Sequence, residues 1–167
     1  MQTLKAGTNL TRAGEVADRF GIVAHGVVRF SINTAAGRCY VRRFGGPGEL
    51  VGSYVSLLTG APSLVSIEAL VPTTVIVLRW THWRALLAGH SCWAEVDVHL
   101  TRQLLIERET RAIALLTQTP AERYAEFRTT HRHLLAHLSQ SDIASYIGIT
   151  PVSLSRMRAR FRQRRGE

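Results

Sequence analysis

The spacing of hydrophobic and polar positions changes character near residue 90 of this 167-residue chain. Before that point, short runs rich in Val, Ile and Phe are separated by glycine turns, the signature of β-strands. Residues 19–24 and 27–33 flank His25-Gly26. Residues 27–33 and 38–44 flank Thr34-Ala35-Ala36-Gly37, a hairpin loop ending in glycine. Gly45-Gly46-Pro47-Gly48 stops the next segment, and no helix could run through it. Residues 63–70 and 73–80 read as two further strands around Val71-Pro72. Evenly spaced turns without helical crossovers predict a sandwich, barrel or jelly roll rather than a parallel sheet.

From Ser91 the period becomes helical. Trp93, Val96, Leu100, Leu104 and Leu115 fall on one side of a wheel. Val98, Leu105, Ala112 and Leu116, flanked by Ile106 and Ile113, fall nearly opposite. Two apolar stripes require two partners. The chain's own β-half supplies one, and the same helix of a second copy is the expected other. We name Trp93, Val96, Leu100, Leu104 and Leu115 as the dimer-helix candidates; burial in a single larger core is the alternative.

Thr119-Pro120 opens another helix, with Thr as N-cap and Pro at the first helical position. Tyr124 and Phe127 mark its buried face, and residues 129–133 are expected to form a loop. Residues 140–159 then match a helix-turn-helix, and each fixed position has a physical reason. Ala144 is small where two helices cross, and Gly148 permits the left-handed backbone that ends the first of them. Ile143, Ile147, Ile149, Leu154 and Met157 hold the pair at its angle. Ser139 caps the first helix, with Asp142 near its positive end; Thr150 caps the second, and Pro151 opens it. An ordinary helical hairpin would need all of these features to coincide by chance.

With Leu154, Met157 and Phe161 facing inward, Val152, Ser155, Arg156 and Ala159 face outward. Arginine offers a planar donor fork suited to guanine edges and to phosphate. Arg156 is therefore the expected base reader, with Thr150, Val152, Ser153 and Ser155 beside it. Arg158, Arg160 and Arg162 are expected at the flanks, towards phosphates. Charge agrees with this reading. The formal net charge is +9, from 21 Lys and Arg against 12 Asp and Glu, and Lys5 is the only lysine. Residues 1–90 and 120–167 each carry +5, whereas 91–119 carry −1. A basic C-terminal end directs attention to nucleic acid or an acidic surface.

Composition excludes other classes. No apolar run reaches 18 residues, which argues against a membrane span. Met1 to Gly7 contain no apolar signal region, so a cytoplasmic location is expected. Cys39 and Cys92 lie in separate segments and form neither a CxxC site nor a disulfide framework. The strand region offers His25, Glu49 and Glu68 as scattered polar groups, too few for the metal site of a cupin-like enzyme. His131-x-His133-x3-His137 has ligand-like spacing, but a hydrated loop is the preferred reading. No Gly-x-Ser-x-Gly, phosphate loop or paired catalytic carboxylates occur, so no enzyme activity is expected.

Taken in order, these parts resemble the Crp–Fnr family of bacterial transcription regulators. The resemblance rests on Ala24-His25-Gly26-Val27-Val28-Arg29, Pro47-Gly48-Glu49-Leu50-Val51-Gly52-Ser53 and Ser66-Ile67-Glu68-Ala69-Leu70. The most specific stretch is Ile143 to Pro151 followed by Leu154-Ser155-Arg156. It implies an α+β chain: a cyclic nucleotide-binding-like jelly roll or β-roll at 1–90, a dimerisation helix at 91–118, and a helix-turn-helix domain at 119–167. It also implies a homodimer on palindromic double-stranded DNA, with RNA polymerase as a candidate partner and an effector pocket in the roll. Gly48, Glu49, Leu50, Ser63 and Leu64 are the pocket candidates. Members that bind cyclic AMP pair the glutamate of a Gly-Glu-Leu segment with a downstream arginine; here Ser63 and Leu64 stand at the arginine's place. A phosphate charge there would lack its cation, so an effector other than cyclic AMP is expected. Two separated cysteines do not support an iron–sulfur cluster, and haem is not expected either. Compared with the family, the roll starts late and is expected to fray at its N-terminal edge, and no two-stranded wing is expected after the recognition helix. A β-roll that binds a protein partner or another small ligand is the alternative, with the segment near Tyr54 either exposed for that contact or part of the core.

Overall fold

The computed structural model describes residues 1–34 and 36–163, with side chains described as far as Ala159. The chain divides into two compact units, Met1–Glu109 and Thr110–Glu167.

The first unit is a roll of two antiparallel sheets. One sheet has the order β1 (Gln2–Leu4), β8 (Thr73–Arg79), β3 (Arg19–His25) and β6 (Leu50–Val51). The other has β2 (Asn9–Thr11), β7 (Ser66–Ala69), β4 (Val28–Asn33) and β5 (Cys39–Gly45). Alternation along the strands sends one face of each sheet inward. Val23, Val28, Val51, Ile67, Ala69 and Val75 are fully buried between them. Complete burial of each valine or isoleucine contributes about 1.5–3 kcal/mol. Strand ranges agree with the sequence reading to within three residues. The N-terminal edge is closed rather than frayed, because Gln2 to Leu4 already pair with Val75 to Thr73.

The turn at Gly26 shows how tightly the roll is stitched. Gly26 has φ of +93°, and a Cβ there would collide with Thr73 Oγ1. The space it leaves lets that buried hydroxyl accept from the Val27 N–H at 3.1 Å and reach the Val71 carbonyl at 2.8 Å. Across the second sheet, Arg29 faces Glu68 in register and pairs with it at 2.6 Å.

Two helices in this unit escaped the strand reading: α1 (Tyr54–Thr59) and α2 (Trp80–Gly89). They enclose a second core of Phe20, Tyr54, Leu57 and Trp83. Edge-to-face ring contacts run through it: Phe20 to Trp83 at 5.5 Å, Tyr54 to Trp80 at 5.8 Å, and Trp83 to Trp93 at 5.7 Å. Offset, edge-on rings are the geometry their quadrupoles favour.

After His90 comes α3 (Ser91–Thr117), 27 residues long. The boundary between the two units falls inside it. The second unit continues with α4 (Pro120–Thr130), a short 3-10 turn (Leu135–His137), α5 (Gln140–Ile147) and α6 (Pro151–Gln163). Thr119 and Glu122 form a reciprocal capping box at the start of α4, two otherwise orphan donors satisfied by two side chains. Tyr124 and Phe127 are its buried face, as expected. The segment read as a loop from 129 is helical to Thr130, and Leu134 beyond it is fully buried.

Candidate nucleic-acid interface and effector pocket

The helix-turn-helix is built locally, which is why so much of it can be read from sequence. Ser139 caps α5 by accepting from the Asp142 N–H at 3.1 Å. Gly148 ends it in the left-handed region, φ 78°, ψ 36°. Thr150 caps α6 by accepting from the Ser153 N–H at 3.1 Å. Ala144, Ile147 and Leu154 are fully buried and Ile143 nearly so, while Ile149 and Met157 are half-buried. An aromatic stack supports the pair from behind. His131 stacks on Phe127 at 4.8 Å, Tyr146 meets both rings, and the Arg111 guanidinium lies 3.8 Å over Tyr146.

On α6, Val152, Ser155, Arg156 and Ala159 are all exposed, on the side away from Leu154. Thr150 and Ser153 are also exposed, but their hydroxyls bond to each other at 2.9 Å. Arg158 is placed differently from the rest. It comes four residues after the buried Leu154, one turn on, so it turns towards the body of the unit. There it lines a cleft of about 750 Å³ with Arg128 and Arg132. The side chains of Arg160, Phe161 and Arg162 lie outside the described residues.

The polar groups of the effector-pocket candidates are engaged by other residues of the roll. Gly48, at φ 84°, forms the turn before β6. The Glu49 carboxylate is directed to Arg43, at 3.4 Å, and Leu50 packs on the aromatic core. Ser63 is buried, and its Oγ lies 2.8 Å from Ser53 Oγ and donates to the Val65 carbonyl at 2.7 Å. Leu64 is 75% exposed. So Ser63 answers Ser53, a residue the sequence reading did not single out, and Glu49 answers an arginine. Two buried hydroxyls bonded to each other leave no charge to receive a phosphate.

Arg43, the partner of Glu49, also reaches α3. Arg43 Nε lies 3.1 Å from Glu107, a charge contact rather than an aligned hydrogen bond, and its guanidinium covers Phe30 at 4.7 Å. Beside it, burial and the like charges of Arg108 and Arg43 hold the pKa of Arg42 below the ordinary arginine value, with Glu107 opposing them.

Of the five dimer-helix candidates, Trp93, Leu100 and Leu104 pack against the Phe20–Trp83 core of the roll. One stripe thus rests on the β-half, and these three, partly buried, belong to it. Val96 and Leu115 are 41% and 45% exposed. The opposite stripe is the open one, with Val98, Leu105, Ile106, Ile113 and Leu116 all exposed. Sequence reasoning also missed Asp97, which accepts from the Tyr54 hydroxyl at 2.8 Å and from Trp83 Nε1 at 2.9 Å. Tyr54 is thereby a core residue. The signal was an acid on the apolar stripe between Trp93 and Leu100.

Among the described residues, no three His, Cys, Asp or Glu side chains could hold a metal ion. No helix of the described residues is long and apolar enough to cross a membrane.

The comparisons with known proteins bear on both units. Residues 1–90 match the model of the cyclic nucleotide-binding domain, more than half of the chain. The chain belongs to that family. Its fold over nearly the whole length is that of Crp/Fnr transcription regulators. FixK2 from Bradyrhizobium japonicum is 22% identical, with a TM-score of 0.86, over 98% of this chain and 84% of that one. A CRP-family transcriptional regulator from Thermus thermophilus is 22% identical, with a TM-score of 0.74, over 98% and 85%. CLP of Xanthomonas campestris, described as a c-di-GMP-responsive global regulator, is 17% identical, with a TM-score of 0.74, over 97% and 86%. At these identities the likeness establishes the fold. No curated protein sequence matches the chain. Within the cyclic nucleotide-binding domain family, then, this member has serine at both 53 and 63, buried and hydrogen-bonded together.

Proposed function

We propose that the chain is a sequence-specific, double-stranded DNA-binding transcription regulator that acts as a homodimer in the cytoplasm. The observation that carries the reading is the outer face of α6. Val152, Ser155 and Arg156 are exposed there, opposite a fully buried Leu154, on a helix capped and braced by α5. A recognition helix contacts base edges through its N-terminal half. Arg156 reads guanine O6 and N7 with its donor fork, Val152 meets a thymine methyl, and Thr150, Ser153 and Ser155 supply hydroxyls at the flank.

The dimer forms through the open stripe of α3. Val98, Leu105 and Leu116 share one side of the helix, with Ile106 and Ile113 adjoining. A contiguous apolar face exposed to water is unfavourable in a monomer, and a two-fold axis along the helix would cover it with its own copy. Half-sites then lie about one DNA turn, ~34 Å, apart. The effector, where one acts on the roll, is not cyclic AMP, because Ser53 and Ser63 offer no cation.

The test is a random-oligonucleotide selection on the purified protein, with and without a panel of small metabolites. A two-fold symmetric motif is expected, enriched equally with and without cyclic AMP. Recovery of no enriched motif, or of one dependent on cyclic AMP, would overturn this reading.

A further inference from the structure

The cleft that takes Arg158 away from the outer face of α6 belongs to no part of the proposed DNA reading. Three arginines line it, Arg128 and Arg132 from α4 and the segment after it, and Arg158 from α6. Among the described residues no carboxylate lines it, and none of the three arginines forms an ion pair. Its remaining wall is mixed. Leu135, Leu138 and Ile143 are apolar, and Tyr124 lies under Arg128 with the guanidinium 5.9 Å from its ring. Three like charges gathered around one concavity repel one another, and they persist at low cost only where water or an anion separates them.

We propose that this cleft binds a small organic phosphate. The volume of about 750 Å³ lies within the range of small-ligand sites. Guanidinium forks match phosphate oxygens two at a time, and the Leu135–Leu138–Ile143 wall accepts the organic body. Such a ligand would join α4 to both helices of the helix-turn-helix, since Arg158 stands on α6 and Gln140, also at the cleft, is the first residue of α5. Arg156, two residues before Arg158, points to the other side of α6. An anion held by Arg158 therefore stiffens the helix that carries Arg156 without occupying the outer face.

The probes are ADP, inorganic pyrophosphate and adenosine, titrated calorimetrically into the full chain at constant ionic strength. Binding of ADP is expected, weaker binding of pyrophosphate, and none of adenosine. The variant R128Q/R132Q/R158Q should weaken ADP binding by about tenfold or more, as expected when charge-assisted bonds to phosphate are removed. R12Q/R38Q/R84Q removes the same charge from exposed sites on the roll and should leave ADP binding within about twofold, the size of a general charge effect screened by salt. R132Q alone, at an exposed position beyond α4, provides the same reading should the triple variant fail to fold. Absence of ADP binding, equal loss in both triple variants, or adenosine binding as well as ADP would overturn the proposal. So would a result in which the cleft variant binds no phosphate less well but loses DNA affinity uniformly with a shallower salt dependence. That would assign the three arginines to DNA phosphates. None of these outcomes depends on which bases α6 reads.

Discussion

The Tyr54 hydroxyl donates to Asp97 Oδ1 at 2.8 Å, and Trp83 Nε1 donates to the same oxygen at 2.9 Å. One carboxylate of α3 thus satisfies a polar group from each helix that closes the aromatic core. Asp97→Ala leaves Trp83 Nε1 without its acceptor and the Tyr54 hydroxyl with only Thr101 Oγ1 at 3.5 Å, at a cost of about 1–3 kcal/mol for the lost bond to a buried donor. Urea unfolding of the full chain should show the loss, together with a weakened near-ultraviolet tryptophan signal. Asp97→Asn retains an acceptor oxygen and should cost less.

Burial holds the Tyr54 phenol above the ordinary tyrosine value near 10, with the Asp97 charge acting in the same direction and Thr101 against it. A raised pKa in the folded state means that the folded chain keeps this proton more tightly than the unfolded one. Its contribution is fully present below pH 10 and is lost as the pH climbs through the folded value. Stability measured from pH 8 to 11 should therefore fall above 10. The fall should be shallower in Tyr54→Phe, and parallel curves for the two proteins would refute the assignment.

Gly148→Ala tests the turn of the helix-turn-helix. A Cβ at that position would meet Leu115 Cδ2 at 3.5 Å, an ordinary contact, so the cost is conformational rather than steric crowding. Forcing an L-residue into the left-handed region costs roughly 1–2 kcal/mol. A lower thermal midpoint for the second unit and weaker DNA binding are expected, while the aromatic signal of the roll stays unchanged.

For the dimer, Leu105→Glu with Leu116→Glu places two charges in the open stripe of α3. Sedimentation should show dissociation favoured by roughly a hundredfold or more, since each buried unpaired charge is strongly unfavourable. Val96→Glu lies off that stripe and should leave the dimer intact. A dimer that survives the double change would have its seam elsewhere.

Arg156→Ala should erase sequence preference while leaving salt-sensitive binding to any duplex, as expected for loss of a base contact rather than a phosphate contact. A footprint that keeps its preference would remove Arg156 from that role.

Legibility in the sequence tracks the range of the interactions. Caps, the Gly148 terminator and the apolar spacing of α5 and α6 are set by neighbours a few residues apart, and they were legible. Strands β3, β4, β5 and β8 carry enough β-branched and aromatic residues to stand out. Strands β1 and β2 have three residues each, too few for alternation to register. Helix α2 begins Trp-Thr-His-Trp, residues with strand-like preference, and only Trp80, Trp83 and Leu87 at i, i+3 and i+7 hinted at a helix. The partners of Glu49 and Ser63 were not legible for a different reason. A Gly-Glu-Leu tripeptide says nothing about which side chain its glutamate will meet. Arg43 for Glu49 and Ser53 for Ser63 are choices made by tertiary packing.

Arg123 donates through Nε to the Ile147 carbonyl at 2.8 Å and through its terminal nitrogen to the carbonyl of Gln118. A single side chain therefore closes the last turn of α3 and the last turn of α5 together. The two-residue link at 118–119 has no slack with which to absorb a change in either. Loss of this one side chain would free both carbonyls at once.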